Sequence, residues 1–439
     1  MKLNSKNNYH HHDSNFRYQK HEYNKKDEIY NNNMETDPNL EQNNNYIKGS
    51  YLPNYISFNF KSRKNKNYRN RHGNNNININ NPFNNFLPKN ILDFSNEIIN
   101  NTIKVNVNKK MLQQLREKYI KIIYENINII LRNSKVEFQC SFYGSSVSGL
   151  SIENSDVDIM VKLRKKSEEK DYINKIMDIL VENLKKCELN YLRKIIPISS
   201  ASVPVIKLDC DLCTEPSFYN EMNSLLQKYE IDYIINYNDM SKLFFDITFF
   251  ETENELEKIP SELMLDYIKK CTLLYPQIFD IVYIMKRFLF NRKLNKSYQG
   301  GLSSYSLFLL TLAFIKSNKN KYEIPIGSLF IEYLYFYSNF NFYNTVIQPK
   351  KDNNIFENIE DNNLQKYNLN IIDPITGLNV AKSTFKIDQI QIAFKKGFEN
   401  IISSLIDINF NNYGNFNNDN SNNNKEPTKI LENFFSLKY

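Results

Sequence analysis

Residues 155–163, "SDVDIMVKL", run from an Asp-Val-Asp entrance into a short apolar, β-branched stretch too short for an ordinary helix, and this reads as a strand. Successive side chains on a strand point to opposite faces, so Asp156 and Asp158 share one face while Val157, Ile159 and Val161 share the other. The apolar face can pack on a helix. Two adjacent carboxylates repel and are rarely placed together for stability alone. A hard cation relieves the repulsion, and carboxylate oxygens are the ligands magnesium takes. Just upstream, "VEFQCSFYG" alternates, with Val136, Phe138, Cys140 and Phe142 on one face, and Gly144-Ser145 ends that strand. A glycine lets a phosphate approach the backbone, and the following N–H groups and the Ser145 hydroxyl can cradle it. A phosphate grip followed by a cation-binding strand is an arrangement for phosphoryl or nucleotidyl transfer. A calcium loop is excluded, because Ile159, Met160 and Val161 stand where it needs oxygens.

The rest of the chain divides by composition. Residues 1–87 are rich in Asn, Lys, Tyr and His and offer too little apolar surface to offset the entropy of ordering, so they are expected to be disordered. Within them, "KSRKNKNYRNRH" (61–72) is a basic cluster suited to nuclear import or nonspecific RNA contact, or simply a solvated charge run. Asn-rich stretches at 214–241 and 347–368 read as surface insertions, and 406–439 as a low-complexity tail. Helical periodicity at 88–132 predicts helices that pack with a C-terminal helical domain. Residues 133–255 carry the strand patterns, adding "VPVIKLDC" and "KLFFDITFF" with an amphipathic helix before them, and 256–405 are helical. The expected fold is α+β: a small mixed sheet plus a mostly helical domain. No apolar run suits a membrane span, and "MKLNSKNNYHHHDSNF" lacks the apolar core of a secretory signal. Five scattered Cys give no disulfide framework, and the net charge of +7 permits a polyanionic partner without demanding one.

The stretch 143–163 resembles the signature of the DNA polymerase β-like nucleotidyltransferase superfamily, and within it the noncanonical poly(A) polymerases and terminal uridylyltransferases. The resemblance extends through "SASVPVIKL" (200–208), "LFFDITFF" (243–250), "YIMKRFLFNRKLNKSYQGGLSSYSLFLLTLAFI" (283–315), "GSLFIEYLYFYSNFNF" (327–342) and "DPITGLNVAKSTFKIDQIQIAFKKGF" (373–398), covering roughly 90 to 405. It implies a polymerase β-like palm domain followed by a poly(A)-polymerase-associated central domain. The last segment resembles the branch containing the polyadenylating subunit of the nuclear TRAMP complex.

The resemblance implies site residues. Asp156, Asp158 and Asp246 are the catalytic acids and would bind two Mg2+ (or Mn2+) ions, with Asp246 also helping to deprotonate an RNA 3′-hydroxyl. Gly144 and Ser145 would hold the triphosphate, joined by Lys286 and Ser304. Tyr305 would stack on the base, and Asp373 and Asn379 belong to the base-recognition segment. On sequence, Asp209 and Asp211 of "KLDCDL" compete for the role of third acid, and Cys210-x-x-Cys213 is a lone half of a zinc pattern. The family usually places Asn directly after the third acid's strand and a second basic residue one turn after the helical lysine. Here Phe250-Glu251 and Phe290 stand there, with Arg287 or Arg292 as substitutes for the cation.

Uridylyltransferase relatives often use a His to favour uracil. All five His here lie at or before His72, which favours ATP as substrate over UTP. The implied activity is template-independent addition of AMP to RNA 3′ ends. A uridylyltransferase and a catalytically inactive RNA-binding scaffold are the alternatives. Implied partners are the RNA 3′ end, a nucleoside triphosphate, an RNA-binding subunit of zinc-knuckle type and RNA-decay machinery, with no membrane. The expected location is the nucleus, otherwise the cytoplasm.

Overall fold

The computed structural model describes residues 83–153, 155–164, 171–201, 203–229, 240–253, 258–317, 324–359, 362–414 and 429–437. Of the expected disorder of 1–87, residues 1–82, with the basic cluster 61–72, lie outside the described residues, while 83–87 form the first turn of a helix. Helix α1 (Phe83–Asn133) leads into strand β1 (Phe138–Tyr143), the single turn α2 (Gly144–Ser148) and β2 (Val157–Arg164). Then come α3 (Tyr172–Lys186), β3 (Leu192–Ile198), β4 (Val205–Asp211), α4 (Phe218–Lys228) and β5 (Lys242–Thr252). The C-terminal half holds α5 (Pro260–Leu274), α6 (Gln277–Asn291), α7 (Ser304–Lys316) and α8 (Ile326–Ser338). Short strands β6 (Thr345–Ile347), β7 (Phe356–Asn358) and β8 (Asn370–Ile371) precede α9 (Ile387–Gly414) and α10 (Ile430–Ser436).

The sheet has the order β1-β2-β5-β4-β3, with β2 and β5 parallel and the other pairs antiparallel. Period-2 patterning sorts its faces. Ile159, Val161 and Leu163 of β2, Ile206, Leu208 and Cys210 of β4, and Leu243, Phe245, Ile247 and Phe249 of β5 are buried against α1, α3 and α4. The opposite face keeps Asp158, Lys207, Asp209 and Asp246. At the far end of that face Lys162 reaches Glu262 of α5 at 2.6 Å, and the same carboxylate caps α5 by accepting from the Ile259 N–H, which ties the sheet to the helical body.

That helical body has its own core. Phe288, Phe308, Phe314, Phe330, Tyr333 and Tyr337 are fully buried in it, with edge-on and tilted ring pairs such as Phe314–Tyr333 at 5.4 Å. Among the described residues no helix is long and apolar enough to cross a membrane.

Four sequence expectations need correction. The region 88–132 lies within one unbroken 51-residue helix, Phe83–Asn133. Its first half buries Phe94 and Ile98 in the helical body, but Met111 to Leu131 pack under the sheet, so it serves both cores. Residues 214–229 are not surface filler. Phe218 and Met222 of α4 are buried beneath the sheet, their apolar spacing hidden among polar neighbours. In 347–368, β7 pairs with β6 and Ile355 is buried. The tail also docks. Ile430, Leu431 and Phe434 are buried, Phe434 stacks on Phe288 with centroids 4.1 Å apart, and Glu97 of α1 accepts the Ile430 and Leu431 N–H groups. Gly397 leaves room for the Phe434 ring, since a Cβ there would press into it at 2.6 Å.

Candidate active site

Strand register builds the site. Tyr143 lies opposite Asp158, Asp158 opposite Asp246, and Asp246 opposite Lys207, giving one row across four adjacent strands. Residues paired across strands project from the same face, so a phenol, two carboxylates and an ammonium stand side by side. Asp156 sits two residues before Asp158, at the entrance of β2. Asp246 rather than Asp209 meets Asp158 in register. Asp209 lies one pleat further along β4, opposite Phe244, and Asp211 pairs with Lys242 at 2.7 Å. Tyr143 accepts a hydrogen bond from the Thr248 hydroxyl at 2.9 Å, which fixes the phenol at the end of the row.

The turn above the acids is shaped by Gly144. Its φ is +72°, in the left-handed region, and a Cβ there would overlap the Asp158 carboxylate. The Ser145 N–H that follows donates to Asp158. Glycine is thus required twice: by the backbone conformation and by the carboxylate packed against it.

The acids are costly to ionise together. Burial, then the nearby charges of Asp246 and Asp156, push the Asp158 carboxyl up to about 7, against the smaller pull of the Ser145 N–H and Lys286. Asp156 is raised as well, first by burial and then by Asp246, with Lys207, Lys296 and Lys286 opposing. An oxygen-only donor set that resists carrying its own charge fits a hard divalent cation. Among the described residues, however, no three His, Cys, Asp or Glu side chains are closed into a ready ligand cage.

Lys286 projects from α6 toward this region and is buried. Its ammonium donates to the Leu150 carbonyl at 2.7 Å, and burial, then the charge of Lys109, lowers it to about 8. Sequence reasoning missed Lys109. From α1 it donates to the Gly149 carbonyl at 2.9 Å and to the Tyr283 hydroxyl at 2.6 Å, and Tyr283 donates to the same carbonyl. Three side chains from two helices therefore grip the two carbonyls that end the Gly144–Ser148 turn. A lone lysine on a helix carries no sequence signal for this role.

Ser304 opens α7 beside Ser303, whose hydroxyl caps the helix by accepting from the Ser306 N–H. Tyr305 donates to Asp373 Oδ1 at 2.7 Å, and its ring is stacked 6.2 Å from Phe308. Asp373, 1 % exposed, also accepts from the Ile375 and Thr376 N–H groups and the Thr376 hydroxyl. Asn379 donates to the Leu369 carbonyl and Asn370 Oδ1 and accepts from the Ile371 and Ala381 N–H groups. Both side chains expected in base recognition are thus engaged in holding their own turn, with Tyr305 anchored to it. Arg287 and Arg292 face elsewhere. The first lies 5.0 Å from the Phe435 ring, and the second donates to the Phe434 and Leu437 carbonyls. Cys210 points into the core under the sheet, its thiol pushed up to about 12 by burial, while Cys213 accepts from the Tyr219 hydroxyl, so the two thiols do not converge. A recess of about 490 Å3 along the β3 edge, lined by Lys185, Arg193 and Lys194 among others, contains none of the acids.

The family models that match describe this architecture in two pieces. Residues 96–230 match the central palm domain of mitochondrial-like poly(A) RNA polymerase, and 325–379 match the Cid1 family poly A polymerase model. Among curated proteins, the chain is 25 % identical to poly(A) RNA polymerase gld-4 of Caenorhabditis elegans, over 72 % of this chain and 33 % of that protein. It is 26 % identical to poly(A) RNA polymerase cid14 of Schizosaccharomyces pombe, over 65 % and 38 %. The chain spans about a third of the length of these relatives. Among solved structures, the polymerase core of TRAMP, an RNA surveillance complex, has TM-score 0.51 at 19 % identity, covering 74 % of this chain and 88 % of that one. The Cid1 poly(U) polymerase bound to MgGTP has TM-score 0.51 at 17 % identity, covering 70 % and 94 %. Asp156 and Asp158 fall within the first matched stretch and Asp246 between the two, and by these matches the chain is similar to the noncanonical poly(A) RNA polymerases.

Proposed function

We propose that this protein is an RNA 3′-end adenylyltransferase that adds AMP from ATP without a template. The observation that carries the reading is the row in which Asp158 and Asp246 meet in register, with Asp156 at the strand entrance and Gly144-Ser145 folded over them. Asp156, Asp158 and Asp246 would hold Mg2+ or Mn2+, which supplies charge neutralisation at the phosphates and a lower pKa for the attacking hydroxyl. In the reaction the RNA 3′-oxygen bonds to the α-phosphorus, the bond from that phosphorus to the β-phosphate oxygen breaks, and pyrophosphate leaves. Asp246 is the acceptor for the hydroxyl proton. Gly144-Ser145 holds the triphosphate, helped by Lys286 and Ser304. Tyr305, fixed by Asp373, offers its ring to the base, and Asn379 keeps the neighbouring turn in place.

Preference for ATP is supported by the absence of His beyond His72, since uridylyltransferase relatives often use a His to favour uracil and the stretches that resemble the family carry none. The resemblance of 373–398 to the TRAMP branch supports a nuclear role in RNA surveillance, with an RNA-binding subunit and decay machinery as partners. The test is extension of a short single-stranded RNA with each nucleoside triphosphate offered alone, in Mg2+ and in Mn2+. AMP addition that disappears in Asp158→Ala is expected. Faster UMP addition would make the protein a uridylyltransferase, and no addition of any nucleotide would leave an RNA-binding scaffold.

A further inference from the structure

Lys207 is the fourth charged member of the acid row. It stands on β4 directly opposite Asp246, and its ammonium donates to both carboxylate oxygens, at 2.7 and 2.5 Å. Its charge also favours the ionised form of Asp156. Lys296 and then Lys286 offset the Asp156 charge less strongly than Lys207 does. Both oxygens of Asp246 are therefore occupied by an ammonium, and the acids are not gathered into a cage. The lysine side chain is 37 % exposed, whereas that of Asp246 is 24 % exposed, so the ammonium has solvent to retreat into while the carboxylate stays.

We infer that Lys207 is a built-in counter-ion, holding Asp246 while the site is without metal, and that a divalent cation must displace it before Asp246 can coordinate. The inference rests on the acid row being a metal site. An ammonium and a divalent cation compete for one carboxylate. The lysine thus stabilises the metal-free fold and weakens metal binding, and metal affinity carries the cost of breaking a two-oxygen ion pair. A lysine that merely oriented Asp246 would have the opposite effect on affinity.

The sign of that effect is the test. Mn2+ would be titrated into the full chain, with free Mn2+ read by electron paramagnetic resonance and melting followed with and without the ion. Lys207→Met keeps the stem and removes the charge. It is expected to bind Mn2+ at least about tenfold more tightly, from losing one nearby cation in a partly exposed site. It should also melt lower without metal and gain more on adding it, while Lys207→Arg stays near wild type. Lys207→Gln serves as second variant if the methionine protein does not fold. Unchanged or weaker Mn2+ binding by a folded, charge-free variant overturns the inference. Asp158→Ala separates this from the underlying reading. If its Mn2+ binding equals that of the wild type, the acid row is not the metal site, whatever Lys207 does.

Discussion

Removing the Phe434 ring should release the C-terminal helix without touching the acid row. The ring is fully buried, stacks on Phe288 at 4.1 Å and 16°, and meets Phe330 edge-on at 5.6 Å. A Phe→Ala change in such a core costs about 3–5 kcal/mol when the site cannot collapse, and the two aromatic pairs account for ~0.5–1.5 kcal/mol each within that. Collapse is hindered here, because Gly397 offers no side chain to fill the gap. The helix has seven residues and only Ile430 and Leu431 as other buried anchors, so the loss exceeds what the remainder can hold. The expected outcome for Phe434→Ala is detachment of 429–437. Hydrogen exchange should show fast amides at Ile430 and Leu431, whose N–H groups now donate to Glu97, and newly exposed surface on α6. Thermal melting should fall by several degrees. Protection at Ile430 and Leu431 unchanged from wild type, with melting shifted by less than a degree, would refute the view that this ring anchors the segment.

Asp158→Ala and Asp246→Ala should each lower tail addition by several orders of magnitude, as loss of a metal clamp does, while Asp209→Ala, one pleat away, should change it little. An active Asp246→Ala protein beside a dead Asp209→Ala protein, in the same RNA-extension assay, would reverse the choice of third acid. Gly144→Ala should abolish extension in a protein that still shows native circular dichroism, because a Cβ meets the Asp158 carboxylate at φ +72°. Normal activity would mean the turn yields. Lys109 is lowered by burial to about 8 in the folded protein, so between pH ~8 and its unfolded value of ~10.4 the unfolded chain binds more protons and stability rises with pH. Melting of wild type relative to Lys109→Met should therefore improve from pH 8 to pH 10 and lose that advantage as pH falls through 8. A flat difference would show the amine is not desolvated.

The strand alternation, the acid pair and the Gly144-Ser145 turn were legible in the sequence because each is a local pattern with a short-range physical cause. Lys207 was not, although it stands inside the quoted "VPVIKL". Its partner is fixed by β4 lying beside β5, a neighbour relation that no single strand encodes. The continuity of α1 was masked by Val105, Asn106, Val107 and Asn108, weak helix formers between two stretches of clear helical spacing. Packing on two cores overrides their propensity. α4 and α10 each bury only a few apolar side chains among polar ones, too few to display a period, and their stability comes from the surfaces that receive them. Asn379 matched its motif by position, but its four hydrogen bonds could be known only once the 369–381 turn was closed.

Helix α1 runs for about 75 Å at 1.5 Å per residue, one half rooted among the C-terminal helices and the other under the sheet. It acts as a splint across the joint between two bodies. A motion that swings them apart about an axis crossing the rod must bend it or peel one half from its bed, exposing Phe94 and Ile98 or Leu115 and Ile123. The Gly149 and Leu150 carbonyls, gripped by Lys109, Tyr283 and Lys286, fasten the turn above the acids to the same rod and its neighbour, so bending α1 would strain the site as well as the two cores.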